Sequence, residues 1–583
     1  MKVGLIGGGP RALWAAEELV FLFRRHKLPL TIVCWDPEEP GGGRVYRADQ
    51  PLCWRLNVRS DIVRTHIGAF PNWLDRNLTR DAQGRETYRG KVFTAEDKVF
   101  APRAVVGDFL RDSWRALVDG CGKDEKESPS HGGLSIAIAH IPSRVVEVHS
   151  VDGKGVGNCR IVAADGSEEF VDEALVVTGH AASWDGQQED FIAAHDHHSL
   201  ESIPAGADVD IRGMALTFID VCLALTEGRS GVFVPAGDAA VDVTGGSTPA
   251  GTHDAAHPDP VQPGGPAHQP LRYIPSGREP AHLYPYSRSG QLMHVKPDPS
   301  SPWVNLEVPG QEEFEKRIRN CADVAEMRAI LDEVTDVVMA AARERAEGLQ
   351  AARNQAARNP VMDARAELDE TAENQANRNP AADARAELNE TAGNQAARNP
   401  ATHYPGRQWA RGEAWRRIYG AIVDRASYLA PGDLEGFYEL GRELEPIAFG
   451  PPPVTAKRVD ALVAAGIVVL PQGGGEPEGA PTDAIHVDAV IAPPGLQPGT
   501  VLEDLVNRGD VHMLPQGGPN IGRDGMAPGT HIAVIGRDVE PRVIGHDTLN
   551  RAMHKEIPTW AFTVFNRALD AQAETSNNGR HHD

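Results

Sequence analysis

The first 35 residues combine apolar runs with one amphipathic segment. Residues 2–7 form an apolar run typical of a buried strand, and residues 10–23 place apolar side chains at helical spacing. Residues 30–35 are rich in β-branched side chains and end at Asp36-Pro37, which predicts a second strand. Strand, helix and strand within this length form a βαβ unit, so the pattern predicts a parallel sheet.

Strand signals return later in two arrangements. Three short apolar runs separated by turn residues predict an antiparallel meander, at residues 145–148, 159–162 and 174–177. A strand over 209–211 and a helix over 217–225 predict a second βα unit. The other predicted elements are an amphipathic helix and two late strands, over residues 409–429, 485–491 and 531–535.

Two segments lack the pattern of a packed core. Residues 235–270 are rich in Gly, Pro, His and Asp, which predicts a long surface excursion. Residues 354–400 contain a repeat in which Asn-Gln-Ala-x-Arg-Asn-Pro recurs every 20 residues. The repeats offer little apolar surface, so we interpret them as a duplicated linker or surface helix, with a partner-binding arm as the alternative.

Composition narrows the class of protein. The chain has 583 residues and a formal net charge of -24, which argues against a nucleic acid as the main partner. No run approaches the roughly 20 apolar residues of a membrane helix. The six cysteines are scattered and the first strand leaves no room for a signal peptide, which together predict a cytoplasmic enzyme with reduced thiols.

The turn between the first strand and helix carries a dinucleotide fingerprint. The segment Gly7–Ala12 fits G-x-G-x-x-G/A: Gly7 permits the tight turn, Gly9 admits a pyrophosphate and Ala12 lets the helix pack on the strand. Pro10 and Arg11 open the helix, whose N–H groups face the phosphates. Asp36 follows the second strand, where an acid binds the ribose. The alternative is a glycine turn without a nucleotide.

Several further segments favour FAD over NAD(P) in this first site. The meander is common in two-dinucleotide flavoproteins, and it leads into Thr178-Gly179, which resembles the element of such enzymes where the chain crosses between domains. Arg44, after three glycines, offers charge to FAD phosphates, and Gly536-Arg537 follows a late strand that returns to the flavin. Surface arginines are the alternative for both. Asn57 and Thr65 are candidates to border the isoalloxazine.

A second, imperfect fingerprint opens the later βα unit. Gly213 and Ala215 follow the strand, but Ala215 replaces the second glycine and Phe218 stands where a small residue belongs. Its position predicts an NAD(P)H site. Arg278 and Arg288 are candidates for a 2′-phosphate, which favours NADPH; ordinary loop arginines are the alternative.

These motifs together resemble the FAD/NAD(P)-binding protein family that includes the nitrosuccinate synthases, which are flavin-dependent N-monooxygenases. The resemblance runs from the N-terminus to about Arg567 and rests on six segments: Gly7–Ala12, Gly42–Arg47, Arg212–Asp220, Leu225–Arg229, Gly536–Glu540 and Val543–Arg551. It implies an FAD- and NADPH-dependent enzyme that uses O₂, through a flavin hydroperoxide, to oxidise the amine of a small amino acid. The specific prediction is L-aspartate to nitrosuccinate.

A dicarboxylate substrate needs cationic or amide partners in the cleft. The candidates are Arg288, Arg407, Asn550 and Arg551, each with a surface or structural role as the alternative. No metal is predicted, because His195-Asp-His-His198 shows no distant acidic or cysteine partner and is interpreted as a polar loop. Two other functions stay open: an FAD-dependent NAD(P)H reductase or dehydrogenase, and a non-catalytic dinucleotide-binding protein.

The predicted fold is α/β: a two-dinucleotide-binding (Rossmann-like) flavoprotein with an antiparallel meander and a helical insertion. We assign the FAD-binding domain to residues 1–204 and 481–583, and the NAD(P)H-binding domain to 205–310. Residues 311–480 form the helical substrate region, including the repeats at 354–400. The expected partners are a small-molecule substrate and O₂, with neither nucleic acid nor membrane, and homo-oligomerisation stays open.

Overall fold

The computed structural model describes most of the chain. The described residues are 1–127, 135–151, 157–236, 270–299, 301–304, 306–358, 406–427, 429, 431–474, 481–515, 517–540 and 542–578. The predicted excursion at 235–270 and the repeats at 354–400 therefore lie largely outside the described residues.

Strands and helices alternate over much of the described chain. The strands are β1 (Lys2–Ile6), β2 (Leu30–Trp35), β3 (Arg64–Thr65), β4 (Gly68–Ala69), β5 (Thr79–Arg80), β6 (Glu86–Tyr88), β7 (Lys91–Val92), β8 (Ile136–Ile141), β9 (Val145–Ser150), β10 (Cys159–Ala163), β11 (Glu168–Val171), β12 (Glu173–Val176), β13 (Ile192–Ala193), β14 (Asp208–Arg212), β15 (Val232–Pro235), β16 (Leu271–Ile274), β17 (His282–Tyr286), β18 (Ile485–Asp488) and β19 (Ile532–Val534). The helices are α1 (Pro10–His26), α2 (Phe70–Asn77), α3 (Ala95–Val99), α4 (Arg103–Glu127), α5 (His197–Glu201), α6 (Leu216–Leu225), α7 (Gln311–Asn320), α8 (Val324–Arg358), α9 (Arg407–Ala426), α10 (Pro431–Ala448), α11 (Pro453–Ala464), α12 (Val501–Arg508) and α13 (Glu556–Asn578).

The first sheet has five strands in the order β19-β12-β1-β2-β8, and every neighbouring pair is parallel. The predicted βαβ unit is β1, α1 and β2. Helices α1, α4 and α13 share one hydrophobic core with this sheet. Because the strands are parallel, the carboxyl ends of β1, β12 and β19 meet at one edge. The predicted α/β class with parallel sheets is confirmed.

The antiparallel meander exists, but its third strand differs from the prediction. It consists of β9, β10 and β11. The predicted third strand at 174–177 is instead β12, which pairs in parallel with β1. Every residue of β12 is buried, as expected for a strand inside a parallel sheet, whereas β11 is half exposed and carries a weaker apolar signal.

A second parallel sheet has the order β13-β18-β14-β17. The predicted second βα unit is β14 followed by α6, which packs into the core of this sheet. Two of its strands come from beyond the predicted boundaries of the NAD(P)H domain, β13 before residue 205 and β18 after residue 480. Strand order is set by long-range pairing, so local sequence does not reveal this exchange.

Four helices form a separate bundle, α7 to α10, around a core that includes the fully buried Trp415. The predicted helix at 409–429 is α9, and its Trp409, Trp415 and Tyr419 pack within the bundle. All six cysteines are free and buried. Among the described residues, no helix is both long and apolar enough to cross a membrane.

Candidate functional site

The glycine turn after β1 is tight on one side and open on the other. Gly7 has φ +106°, its N–H donates to the Trp35 carbonyl at 2.9 Å, and a Cβ there would lie 2.6 Å from the Val177 carbonyl oxygen. Only glycine fits such a position. A Cβ on Gly9, by contrast, would meet no protein atom within 4 Å. The turn therefore leaves open space in front of α1.

Helix α1 presents unused N–H groups to that space. It starts at Pro10 after Gly9, and no side chain caps it. An uncapped helix N-terminus carries partial positive charge and binds phosphate. Asp36 lies beside it: one carboxylate oxygen accepts from Gly8 N–H at 2.6 Å and the other from Glu38 N–H at 2.8 Å. Each oxygen retains a second lone pair for a ribose hydroxyl, so these residues fit a dinucleotide.

The loop that follows Asp36 packs directly on the fingerprint. The Gly41 N–H donates to the Gly8 carbonyl at 2.7 Å, and a Cβ on Gly43 would lie 2.9 Å from the Gly9 Cα. Arg44, next in the chain, donates to the backbone carbonyl of His180, which follows the carboxyl end of β12. The structure thus places the predicted phosphate loop where a cofactor bound at Gly9 would meet it.

The C-terminal segment reaches the same edge through a buried carboxyl group. Thr178 donates its hydroxyl proton to Asp538 at 2.7 Å, and burial raises the pKa of Asp538 to about 6. Arg537, also buried, pairs with Asp547 and donates to the Ala492 carbonyl at 2.9 Å. The sequence analysis named Gly536-Arg537 but not Asp538, although Asp538 follows them directly.

The side chain of Arg11 has a structural role. It donates to the backbone carbonyl of His546 and lies 3.2 Å from the Nδ1 of that ring. Burial lowers the pKa of Arg11. A Cβ on Gly536 would lie 3.3 Å from the Arg11 Cδ. The backbone N–H of Arg11 lies in the first turn of α1, where it would bind a phosphate. Its guanidinium instead connects the C-terminal segment to α1.

In the second glycine turn, neighbouring backbone comes as close to Gly213 as a dinucleotide fingerprint requires, although the sequence of the fingerprint is imperfect. Gly213 has φ +110°, its N–H donates to the Tyr286 carbonyl at 2.8 Å, and a Cβ there would lie 3.2 Å from the Ala489 carbonyl. Helix α6 begins after Ala215 without a capping side chain. Phe218 is fully buried in the core of the second sheet. The turn therefore has the close backbone approach and the uncapped helix that the fingerprint predicts.

Arg278 and Arg288, the two arginines predicted to bind a 2′-phosphate, lie near opposite ends of strand β17. β14 and β17 are parallel, with Arg212 paired to Tyr286, so Arg288 follows the strand end next to Gly213 and is exposed. Arg278 precedes β17, and its carbonyl accepts from Arg229 at 2.9 Å. The five-residue strand separates the two ends by about 13 Å. For Arg278 these contacts favour the alternative interpretation, an ordinary loop arginine.

Two of the arginines predicted to bind a substrate carboxylate, Arg407 and Arg551, form ion pairs with carboxylates of the protein itself. Arg407 pairs with Asp336 on the exposed side of the helical bundle. Arg551 pairs with Glu17 and, at 2.9 Å, with Glu18, because α1 lies against the C-terminal segment. These contacts argue against a substrate role for both arginines. Asn550 lines a pocket beside Arg551, and its side-chain oxygen Oδ1 accepts from Ala552 N–H at 3.1 Å.

The two residues proposed to border the isoalloxazine have different surroundings. Thr65 is buried and its hydroxyl lies 2.8 Å from that of Ser113, so it belongs to the core. Asn57 donates its amide to the Phe449 carbonyl at 3.0 Å, and its own carbonyl accepts from the amino group of Lys296. Asn57 therefore lies where the first domain meets the helical bundle.

At the same junction lies a group of carboxyl side chains that the sequence analysis missed. Glu445 lies in the last turn of α10, while Glu540 and Asp547 belong to the C-terminal segment. Part of the Glu445 side chain is exposed to solvent, but desolvation by the surrounding protein and these two carboxyl neighbours raise its pKa to about 7. Glu540 accepts from the N–H groups of Gly545 and His546 at 3.1 and 3.2 Å. Glu445 is far from Glu540 and Asp547 in sequence, and no local pattern indicates that the three carboxyl groups come together.

Comparison with known proteins agrees with this geometry. The profile of the FAD-NAD(P)-binding family matches residues 4–181. The L-aspartate N-monooxygenase (nitrosuccinate-forming) of Streptomyces cremeus is 26% identical over 330 residues, 51% of this chain and 43% of that protein. Nitrosuccinic acid synthase npaA of Aspergillus oryzae is 25% identical over 300 residues, 49% of this chain and 40% of that protein.

The similarity is partial on both sides. The chain spans about two fifths of the length of these curated relatives. The open crystal structure of cyclohexanone monooxygenase is 12% identical with a TM-score of 0.29, covering 55% of this chain and 46% of that one. The predicted FAD and NAD(P) cofactors are confirmed at the level of the family that matches. Residues 4–181 therefore match the FAD-NAD(P)-binding family, and over about half of its length the chain is similar to a nitrosuccinic acid synthase and to a nitrosuccinate-forming L-aspartate N-monooxygenase.

Proposed function

We propose that the protein is an FAD- and NADPH-dependent N-monooxygenase that oxidises the amine of a small amino acid, with L-aspartate as the first candidate. The observation that carries this proposal is the pair of glycine turns, each followed by an uncapped helix at the carboxyl edge of a parallel sheet. Two such sites in one chain suit two dinucleotides. The names of the curated relatives supply the candidate substrate.

The residues divide between the two cofactors. Gly7–Ala12, Asp36, Gly41–Arg44 and the Thr178–Asp538 contact would hold FAD, which supplies electron transfer from NADPH and the activation of O₂. Gly213–Ala215 and Arg288 would hold NADPH. In each round one NADPH, one proton and one O₂ would be consumed, one oxygen atom would be added to the substrate nitrogen and the other would leave as water.

The chain itself must bind the amino acid and remove the proton of its ammonium group. The side chain of Glu445 makes no hydrogen bond to any described residue, and it is close enough to the carboxyl groups of Glu540 and Asp547 for their charges to raise its pKa. We assign the binding of the substrate ammonium group to these three carboxyl groups, with Glu445 as the proton acceptor. Lys296 has no carboxylate partner among the described residues, and burial lowers its pKa to about 7. A substrate carboxylate beside it would restore its charge.

Glu445→Gln is expected to lower the rate of amine oxidation about 100-fold, within the range of general base catalysis. The base acts as a carboxylate, so the wild-type rate should rise with pH, with half its increase near pH 7, and this limb should disappear in the variant. Product formation and NADPH oxidation are measured together from pH 6 to 9. NADPH consumption should continue and yield hydrogen peroxide instead of product.

Glu443→Gln is the matched control, because Glu443 lies on the same helix but pairs with Arg328 and Arg411 on the bundle surface. It should retain wild-type product formation and the wild-type pH profile. Equal losses in both variants would show a general effect on α10 and would contradict the assignment of Glu445 as base.

Arg288→Gln is expected to raise the KM for NADPH about tenfold and to leave that for NADH unchanged, because only NADPH carries the 2′-phosphate. Steady-state kinetics with both nucleotides measures the difference. Arg278→Gln, at the opposite edge of the sheet, should change neither constant. A larger effect from Arg278 than from Arg288 would contradict the placement of NADPH.

The proposal is tested first by an absorbance spectrum of the purified protein, followed by NADPH oxidation with and without L-aspartate. A flavin spectrum with aspartate-stimulated oxidation and a nitro or hydroxylamino product supports it. Hydrogen peroxide formed at the rate of NADPH oxidation, with no product from any amine, favours the reductase or dehydrogenase. A colourless protein that does not take up FAD favours the non-catalytic binding protein.

A further inference from the structure

The histidine-rich segment His195–His198, whose last two residues begin α5, lies against the loop that follows Gly41–Gly43. In the sequence this segment shows no distant acidic partner. The structure supplies one: the Asp49 carboxylate lies 3.6 Å from the Nε2 of His198 and 3.9 Å from the Nε2 of His197. Asp49 and the two histidines are separated by about 150 residues in sequence, so only the fold brings them together.

The spacing of these three groups suits a metal ion. Their donor atoms all lie within 4.8 Å of one another. Ligands 2.0–2.1 Å from a tetrahedral zinc ion are about 3.3 Å apart, so movements of less than about 1 Å bring both imidazoles and the carboxylate into contact with one ion. Two imidazoles and a carboxylate are donors that bind Zn²⁺ and related divalent transition metals.

No strong interaction has to be broken to admit the ion. Neither imidazole makes a side-chain hydrogen bond within the described part of the chain, and the Nδ1 of His197 is buried without a partner. Asp49 is held by Arg47 through two contacts of 2.9 Å. This pair is solvent-exposed and therefore weak. A carboxylate oxygen has a second lone pair, so Asp49 is able to bind Arg47 and a metal together.

The supporting structure around the site differs for the two histidines. His197 is buried, and its ring stands edge-on to Trp54 at 6.0 Å. His198 is two-thirds exposed. One ligand is therefore held by packing while the other adjusts, and the exposed side leaves room for a water molecule as the fourth ligand.

We propose that Asp49, His197 and His198 form a binding site for a divalent transition metal ion, with zinc as the first candidate. The site joins the loop that carries Arg44 to helix α5, which leads into the second sheet. A bound ion would hold this loop against α5 without contacting the cofactor. The proposal goes beyond the monooxygenase function and does not depend on it.

The test uses the full chain loaded with FAD and zinc chloride as the probe, in competition with a chromophoric chelator. We expect one zinc ion per chain, and at least about a tenfold loss of affinity in Asp49→Asn and His198→Ala. His195→Ala is the matched control, because His195 is an exposed histidine of the same segment outside the triplet. It should bind zinc as tightly as the wild type.

A second measurement separates this site from other histidines. Zinc should raise the Tm of the wild type and of His195→Ala but not that of His198→Ala. Any weak binding by the terminal His581-His582 is shared by all variants. Wild-type binding no tighter than that of His198→Ala, or equal losses in all three variants, would overturn the proposal. Flavin content and NADPH oxidation are measured separately, so a failed monooxygenase assay leaves this result unaffected.

Discussion

Gly9→Ala is expected to remove FAD binding while the protein still folds. The added methyl group meets no protein atom within 4 Å, so the fold has no reason to change. It would occupy the space through which a pyrophosphate approaches the N-terminus of α1. We expect the affinity for FAD to fall at least about 100-fold, or roughly 2.8 kcal/mol. Flavin absorbance of the purified variant and titration with FAD measure the loss.

The control for this variant is Gly348→Ala. Gly348 is an exposed residue of α8 where a Cβ also meets nothing within 4 Å. This change should leave FAD binding intact and stabilise the helix by about 0.5–1 kcal/mol. Thermal unfolding of the FAD-free proteins should give Gly9→Ala the same Tm as the wild type. Normal FAD content in Gly9→Ala would refute the assignment of the first glycine turn as the flavin site.

Arg55→Ala is expected to lower the free energy of unfolding by about 3–5 kcal/mol, because it removes the cation nearest to the buried Asp97 carboxylate and one of the cations that pair with Glu227. Arg55 is buried and lies 3.1 Å from Asp97 and 3.4 Å from Glu227. Asp97 belongs to α3 of the first domain, whereas Glu227 follows α6 of the second sheet. Arg458 of α11 contacts the same Glu227 at 3.2 Å. One arginine thus connects separate parts of the molecule.

Arg59→Ala provides the comparison, since Arg59 pairs with Asp61 at 2.7 Å but both side chains are about half exposed. Such a pair contributes about 0–1 kcal/mol. Urea unfolding followed by circular dichroism measures both variants. The two domains should also lose cooperativity in Arg55→Ala, so that unfolding shows two steps. A loss below about 1 kcal/mol in Arg55→Ala would mean that water or the neighbouring Lys91 compensates the carboxylates.

The group of carboxyl side chains around Glu445 and the proposed metal site depend on contacts that local sequence does not contain. Glu445 has no feature that distinguishes it from the surface glutamates around it until α10 packs beside Glu540 and Asp547. Arg551 was a good candidate for a carboxylate clamp, yet α13 and α1 bring it to Glu17 and Glu18 instead. Arg278 and Arg288 are equivalent in sequence, and only the direction of β17 separates them.

The sequence by itself determined the parallel βαβ unit and the two glycine turns. Their signals are local: apolar periodicity marks the elements, and a positive φ at Gly7 or Gly213 restricts the residue to glycine. The tertiary structure alone decided which strands share a sheet, as β12 and β18 show, and which charged side chains face each other. Those contacts join residues hundreds of positions apart, and their partners are fixed by sheet order and helix packing, which no local pattern encodes.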